Sequence, residues 1–216
     1  MTNSAEEIVY VQAGPGSFNH GALMDLQAQD SRLSGIEPKF AGTPLDAMTQ
    51  ATYNHAEGLV LIAGNNNLIG LIKPTIEAVR KFEIVKIIAK IKKEIVMCLL
   101  VKKDDTEVVR VASIQPALDQ VSDWTRRKQL EVITEPKGTA EAARKLATNE
   151  YPSQTGVIGP KTLVDIYPNL GVAENSIENK PSYTDFLLLM VRKRKTILTP
   201  EEAHSELSKC FQVAAT

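Results

Sequence analysis

Four short polar segments carry the groups that could act on a ligand: residues 14–19, 64–67, 138–139 and 182–186. Their chemistry is hydrogen bonding. The hydroxyls of Ser17, Thr139 and Thr184 donate and accept, and the amides of Asn65, Asn66 and Asn67 do both. Gly138-Thr139 opens a helical pattern, where free backbone N–H groups face an anion. Read singly, each segment is a helix cap or a turn, and three consecutive asparagines are partly turn chemistry. Four such segments at strand ends point instead to a small ligand bearing a carboxylate, because open α/β sheets bind ligands where loops leave the strands.

Other chemistries lack their residues. His20, His55 and His204 have no second histidine or cysteine at metal spacing, so no metal site is expected. There is no G-x-S-x-G elbow and no Walker A loop, and Gly14-Pro15-Gly16 lacks the third glycine of a dinucleotide turn. No cofactor is expected. Cys98 and Cys210 lie far apart and form neither a disulfide framework nor a metal motif. Cys98, within Met97-Cys98-Leu99-Leu100, reads as a small buried hydrophobe.

These segments need a scaffold, and the chain alternates strand and helix patterns. Strands are expected over 8–11, 59–62, 84–91, 94–101, 108–112, 130–133, 156–158 and 186–191. Helices are expected over 18–29, from the asparagine loop toward Phe82, and over 116–129, 139–149 and 161–167. A last helix starts at Thr199-Pro200-Glu201-Glu202, which has the residues of a capping box. The alternation predicts an α/β fold with a largely parallel sheet.

The composition fits this reading. Of 216 residues, 43% are hydrophobic and 24% charged, as in ordinary globular domains. The 25 basic and 26 acidic residues leave a net charge of -1, without the basic surplus of a nucleic-acid binder. Aromatic content of 5% offers little surface for base stacking. The runs Arg192-Lys193-Arg194-Lys195 and Lys90, Lys92, Lys93 read as solvated strand ends. No apolar run reaches the roughly 18 residues of a membrane span. The N-terminus, MTNSAEEIVYVQ, lacks the basic start and apolar centre of a secretory signal, so a cytoplasmic location is expected.

In order along the chain, the polar segments resemble the catalytic domain of the prephenate dehydratase family. Gly14-Pro15-Gly16-Ser17-Phe18-Asn19-His20 is similar to its GPxGTFSH start, one residue shorter. Asn65-Asn66-Asn67-Leu68-Ile69-Gly70 falls at ENSIEG, and Ile95-Val96-Met97-Cys98-Leu99-Leu100 at IxHCLL, with Met97 for histidine. Ser113-Ile114-Gln115-Pro116-Ala117-Leu118-Asp119-Gln120 follows SHPQALxQ, and Gly138-Thr139-Ala140-Glu141-Ala142-Ala143 is close to STAEAA. Tyr183-Thr184-Asp185-Phe186 stands at the TRF motif.

The resemblance covers most of the chain. It implies a two-lobed, periplasmic-binding-protein type II-like α/β fold with a central ligand cleft. Lobe 1 would be 1–82 with the return segment 177–216, and lobe 2 would be 83–176. It implies a cytosolic carbon–oxygen lyase that takes prephenate or a related small cyclic carboxylic acid, without metal, nucleic acid or membrane. A homodimer is expected as well. About 30 residues follow Phe186, so the family's regulatory ACT domain is not expected.

Thr184 takes the place of the family's general acid. Ser17, Asn65, Asn66, Asn67, Gly138, Thr139, Asp185 and Phe186 take places around the substrate. Asp185 stands where the family has a carboxylate-binding arginine, and an anion there repels a carboxylate. The chemistry could then belong to a specialised pathway. It could also be that of a prephenate-decarboxylase-like enzyme or of a non-catalytic small-molecule binder.

Overall fold

The computed structural model describes residues 8–104 and 107–212. Residues 1–7, the start of the segment read as lacking a secretory signal, lie outside the described residues. In chain order the first elements are β1 (Ile8–Gln12), α1 (Phe18–Gln29), β2 (Glu37–Ala41), α2 (Pro44–Ala51), β3 (Gly58–Asn66), β4 (Gly70–Leu71), α3 (Lys73–Val79) and β5 (Phe82–Glu94). Then come β6 (Cys98–Lys102), β7 (Arg110–Ser113), α4 (Gln115–Gln120), α5 (Ser122–Lys128), β8 (Glu131–Thr134) and α6 (Thr139–Ala147). The chain ends through β9 (Thr155–Gly159), α7 (Leu163–Ile166), β10 (Leu170–Glu174), β11 (Tyr183–Lys193) and α8 (Pro200–Gln212). Among the described residues no helix is long and apolar enough to cross a membrane.

The elements form two compact units. The first holds residues up to Gln12, Ala22–Lys93 and the chain from Tyr183 onward. Its sheet has the order β2-β1-β3-β11-β5, with β4 paired to β3. Leu59 to Ile62 of β3 and Phe186 to Leu189 of β11 are wholly buried, as expected for central strands with no solvent face. One face of this sheet packs Val60, Ile62, Leu187, Leu189 and Val191 with Met48, Val79, Phe82 and Leu207. The capping box expected for α8 forms: Thr199 Oγ1 accepts from Glu202 N at 3.2 Å, and Glu202 Oε2 accepts from Thr199 N at 2.8 Å.

The second unit holds Ala13–Gly21 and Glu94–Ser182, around a sheet of order β10-β6-β9-β7-β8. Its core packs Cys98, Leu100, Ala112 and Val157 against the apolar side of α6, Ala142, Ala143 and Leu146. Both cysteines are buried free thiols.

Several elements depart from the sequence expectation for physical reasons. The sheets are mixed, not largely parallel. β11 runs antiparallel to β3, and β6 runs antiparallel to both β9 and β10, while β1 with β2 and β3, and β7 with β8 and β9, are parallel. The unit boundaries fall after Lys93 and Ser182, where 82 and 176 were expected. The long β5 stays beside β11 in the first sheet, so only the run from Cys98 joins the second.

β2 lies outside the strands expected from the sequence and carries Pro38, a residue that cannot donate to a ladder. It is tolerated since β2 is an edge strand. The helix expected over 116–129 is two helices. Asn179 inserts where they part: its Oδ1 accepts from Asp123 N at 3.0 Å, and its Nδ2 donates to Asp119 O and Ser122 Oγ.

Candidate functional site

In the first unit, β3 and β11 bring Asn65, Asn66, Asn67, Thr184, Asp185 and Phe186 together at one end of the sheet. The pairing aligns Thr184 with Asn66 and Asp185 with Asn65, but Phe186 with Ala63. Gly64 is therefore the extra residue of a β-bulge. Without it, the alternation that puts Leu61 and Ala63 on the Leu188 and Phe186 side would carry Asn65 to Thr184, because a one-residue slip flips every side chain. The bulge delivers Asn66 instead. A Cβ there would stand 2.6 Å from Phe211 Cζ and 2.9 Å from Leu187 Cδ1, so any larger residue would displace those two side chains.

Asn66 and Thr184 are 5% and 6% exposed. Asn66 Oδ1 accepts from the backbone N–H groups of Leu68 (2.9 Å) and Ile69 (3.3 Å). Two fixed donors settle the amide orientation, so Asn66 Nδ2 must face Thr184, and it donates to Oγ1 at 2.9 Å. Thr184 is thereby an acceptor toward Asn66. Among the described residues nothing accepts its own O–H proton, so that proton is open to a ligand.

The other expected residues serve differently. Phe186 is 1% exposed and lies two positions along β11 on Thr184's face, as a wall of the core. Strand alternation places Asp185 and Asn65 on the opposite face, where Asn65 Nδ2 donates to Asp185 Oδ2 at 3.1 Å. Asn67 closes the ladder: its Oδ1 accepts from Tyr183 N at 2.6 Å, and its N donates to Tyr183 O at 3.0 Å. Lys92 Nζ lies 5.4 Å from the centre of the Tyr183 ring.

In the second unit, the loop before α1 packs on the starts of α6 and α7. A Cβ on Gly14 would come within 3.1 Å of that of Ala140, and one on Gly16 within 2.9 Å of Leu163 and Ile166. Thr162 Oγ1 donates to Gly16 O at 2.6 Å. Ser17 caps α1, its Oγ accepting from His20 N at 3.3 Å. α6 has no such cap: Gly138 occupies the cap position at φ +113°, with no side-chain hydrogen bond to the first turn. Its leading N–H groups and the buried Thr139 hydroxyl remain as donors for an anion.

Three features here were not read from the sequence. Asn19 is 7% exposed, and its Oδ1 has no hydrogen-bond partner among the described residues. The asparagine inside the glycine-containing loop was the signal for it. Buried Glu135 anchors the segment entering α6, accepting from Lys137 N at 3.2 Å, Lys145 Nζ at 2.5 Å and Tyr151 Oη at 3.1 Å. Burial pushes its carboxyl up, but the three hydrogen bonds outweigh that and hold it below the usual carboxylate range.

His20 is the third. Its Nδ1 accepts from Gly16 N at 3.0 Å, which requires the neutral ring, and burial lowers its pKa in agreement. A group whose pKa is lowered by folding takes up its proton first in the unfolded chain. Stability from His20 is therefore complete above about pH 6.5 and is lost as pH falls through the lowered folded value. Urea midpoints should decline across that window, and His20→Gln should flatten the decline. An unchanged slope in the variant would assign the effect elsewhere.

The comparisons with known proteins agree with this layout. A family model described as prephenate dehydratase matches residues 9–194. Prephenate dehydratase from Arthrobacter aurescens, solved with L-Phe, superposes with a TM-score of 0.68 at 19% identity, over 88% of this chain and 61% of that one. The enzyme from Staphylococcus aureus subsp. aureus Mu50 gives 0.60 at 16% identity, over 87% and 67%. GqqA, described as a novel type of quorum quenching acylase, gives 0.67 at 20% identity, over 90% and 67%.

At these identities the structural likeness shows the fold alone, the mixed α/β fold that the prephenate dehydratase structures share. The chain spans about three fifths of the Arthrobacter protein. No curated protein matches it in sequence. The family assignment rests on the match over 9–194, within which lie the paired Asn66 and Thr184 and the uncapped start of α6. On that ground the chain belongs to the prephenate dehydratase family.

Proposed function

We propose that the protein is a prephenate dehydratase-like lyase acting on prephenate or a related small cyclic carboxylic acid, in a specialised pathway. The observation that carries the reading is the Asn66–Thr184 hydrogen bond, 2.9 Å long and buried. A hydroxyl that accepts a hydrogen bond is a better donor, since charge developing on its oxygen is stabilised. The reaction calls for such a donor. The ring carboxylate leaves as carbon dioxide, its electron pair aromatises the ring, and the ring hydroxyl departs with a proton as water. Thr184 supplies the hydrogen bond to that departing oxygen, and Asn66 holds Thr184 in the donating sense.

A substrate of this class also has carboxylates to be held. Within the second unit, the uncapped start of α6, with Gly138 and Thr139, and the Ser17 hydroxyl are groups of the kind that bind a carboxylate. Asn65, Asn67 and Phe186 support the corner, by the Asp185 bond, the ladder closure and core packing.

The opposed reading rests on Asp185. An anion where the resemblance implies a cation would favour either decarboxylation without loss of the hydroxyl or binding without turnover. Its position on the face away from Thr184 supports the lyase. Asp185→Arg is expected to leave turnover within roughly tenfold, because the half-buried charge at this position lies on the face away from Thr184.

The test is incubation with prephenate, followed by ultraviolet absorbance and mass. Phenylpyruvate is the expected product. A non-aromatic decarboxylated keto acid would assign the second chemistry. Unchanged prephenate with measurable binding would assign the third, and neither turnover nor binding would make prephenate the wrong ligand.

A further inference from the structure

At the other end of the first sheet lies a cavity of about 280 Å³. Ile8, Tyr10, Ala51, Leu59 and Met190 line it, and His55 and Glu57 complete the wall. It sits at the starts of β1 and β3 and the end of α2. From Leu59 to Asn66, β3 advances about 23 Å at roughly 3.3 Å per residue, so the cavity is separate from the Asn66–Thr184 corner. Its size falls just below the roughly 300–1,000 Å³ of drug-sized ligand pockets, which suits a body of one ring. The polar side of the wall is acidic. Among the described residues no lysine or arginine lines it. Arg192 Nη1 stands 4.0 Å from Glu57 Oε1, but its Nε and Nη2 bind Glu83 at 2.7 and 2.9 Å. Two carboxylates thus share one guanidinium, and a net negative charge remains at this corner. α2 ends at the wall with Ala51, and its last turn carries no basic side chain to offset the negative pole of the helix. Beyond the wall, Glu37 lies beside Ile8 and Lys39 beside Tyr10 in the β1–β2 register, so those two charges offset.

We propose that this cavity binds a small apolar amine, its single-ring body against Tyr10, Leu59 and Met190 and its ammonium at Glu57. The apolar walls bury the body, and the carboxylate supplies a charge-assisted hydrogen bond to the ammonium. The His55 imidazole has a lone pair that can accept a second hydrogen bond from the same group. An anion is rejected here, because its carboxylate would meet Glu57 and the end of α2. The carboxylic substrate proposed above is therefore not the ligand of this cavity. Its occupancy does not depend on turnover of prephenate at Thr184.

Phenethylamine, one ring on a short arm, is the probe. Isothermal titration of the full chain at neutral pH and low salt should show saturable one-to-one binding. 3-Phenylpropionate, with a carboxylate in place of the ammonium, should bind more weakly by about tenfold or more, since attraction becomes repulsion. Glu57→Gln should weaken phenethylamine by about three- to fivefold, the scale of an ion pair whose carboxylate is 41% exposed, and should narrow the gap between the two probes. Ile8→Trp fills the cavity and should abolish binding, with an unchanged circular dichroism spectrum to show that the fold survives. Glu57 lies outside every strand and helix, so Glu57→Gln decides the matter should Ile8→Trp fail to fold. Thr184→Ala, at the far end of the sheet, should titrate as wild type. Absence of saturable binding, a preference for 3-phenylpropionate, an unchanged affinity in Glu57→Gln, binding by a folded Ile8→Trp, or its loss in Thr184→Ala would each overturn the proposal.

Discussion

Thr184→Ala is expected to lower kcat for the dehydration by roughly 10²–10⁴-fold, the usual worth of a general acid, while substrate affinity changes little. The asymmetry follows from the geometry. The Thr184 hydroxyl is 6% exposed and already engaged by Asn66, so its remaining proton matters when charge builds on the departing oxygen, and much less in the ground state. Thr184→Ser keeps the hydroxyl and the acceptor for Asn66 Nδ2, and should retain activity within about tenfold of wild type. The β-branched methyl holds threonine to fewer rotamers, which accounts for the residual loss. Steady-state kinetics with both variants decide the matter. Equal loss in alanine and serine variants would show that packing, and not the proton, is what Thr184 provides.

This pair also marks how far the sequence could be read. The loops were legible because glycine, asparagine, serine and threonine beside apolar runs are local signals, and their order carried the family resemblance. The pairing of Asn66 with Thr184 was not, since 118 residues separate them and only sheet register brings them together. That register turns on one bulge at Gly64, which looks like any loop glycine until Phe211 and Leu187 are seen against it. The face taken by Asp185 follows from the same register, so the sequence could show its charge but not its direction. The division of the helix expected over 116–129 was equally hidden, because Asn179 acts on it from more than fifty residues away. Local chemistry was readable throughout. Long-range pairing was readable only where a buried, wholly apolar run such as Phe186 to Leu189 demanded a central strand.

The second large effect isolates the direction of a hydrogen bond. Asn66→Asp is nearly isosteric, and its carboxylate can still accept from the N–H groups of Leu68 and Ile69, so the turn that follows β3 keeps its anchors. What it loses is the donor. A carboxylate only accepts, so the Thr184 O–H must turn toward residue 66, and the proton meant for the departing hydroxyl is held there. Turnover should therefore fall by a factor comparable to that of Thr184→Ala, roughly 10²-fold or more. The double variant should be no slower than either single one, because both changes remove the same proton. Additive losses in the double variant would mean that Asn66 does not set the sense of the Thr184 hydrogen bond.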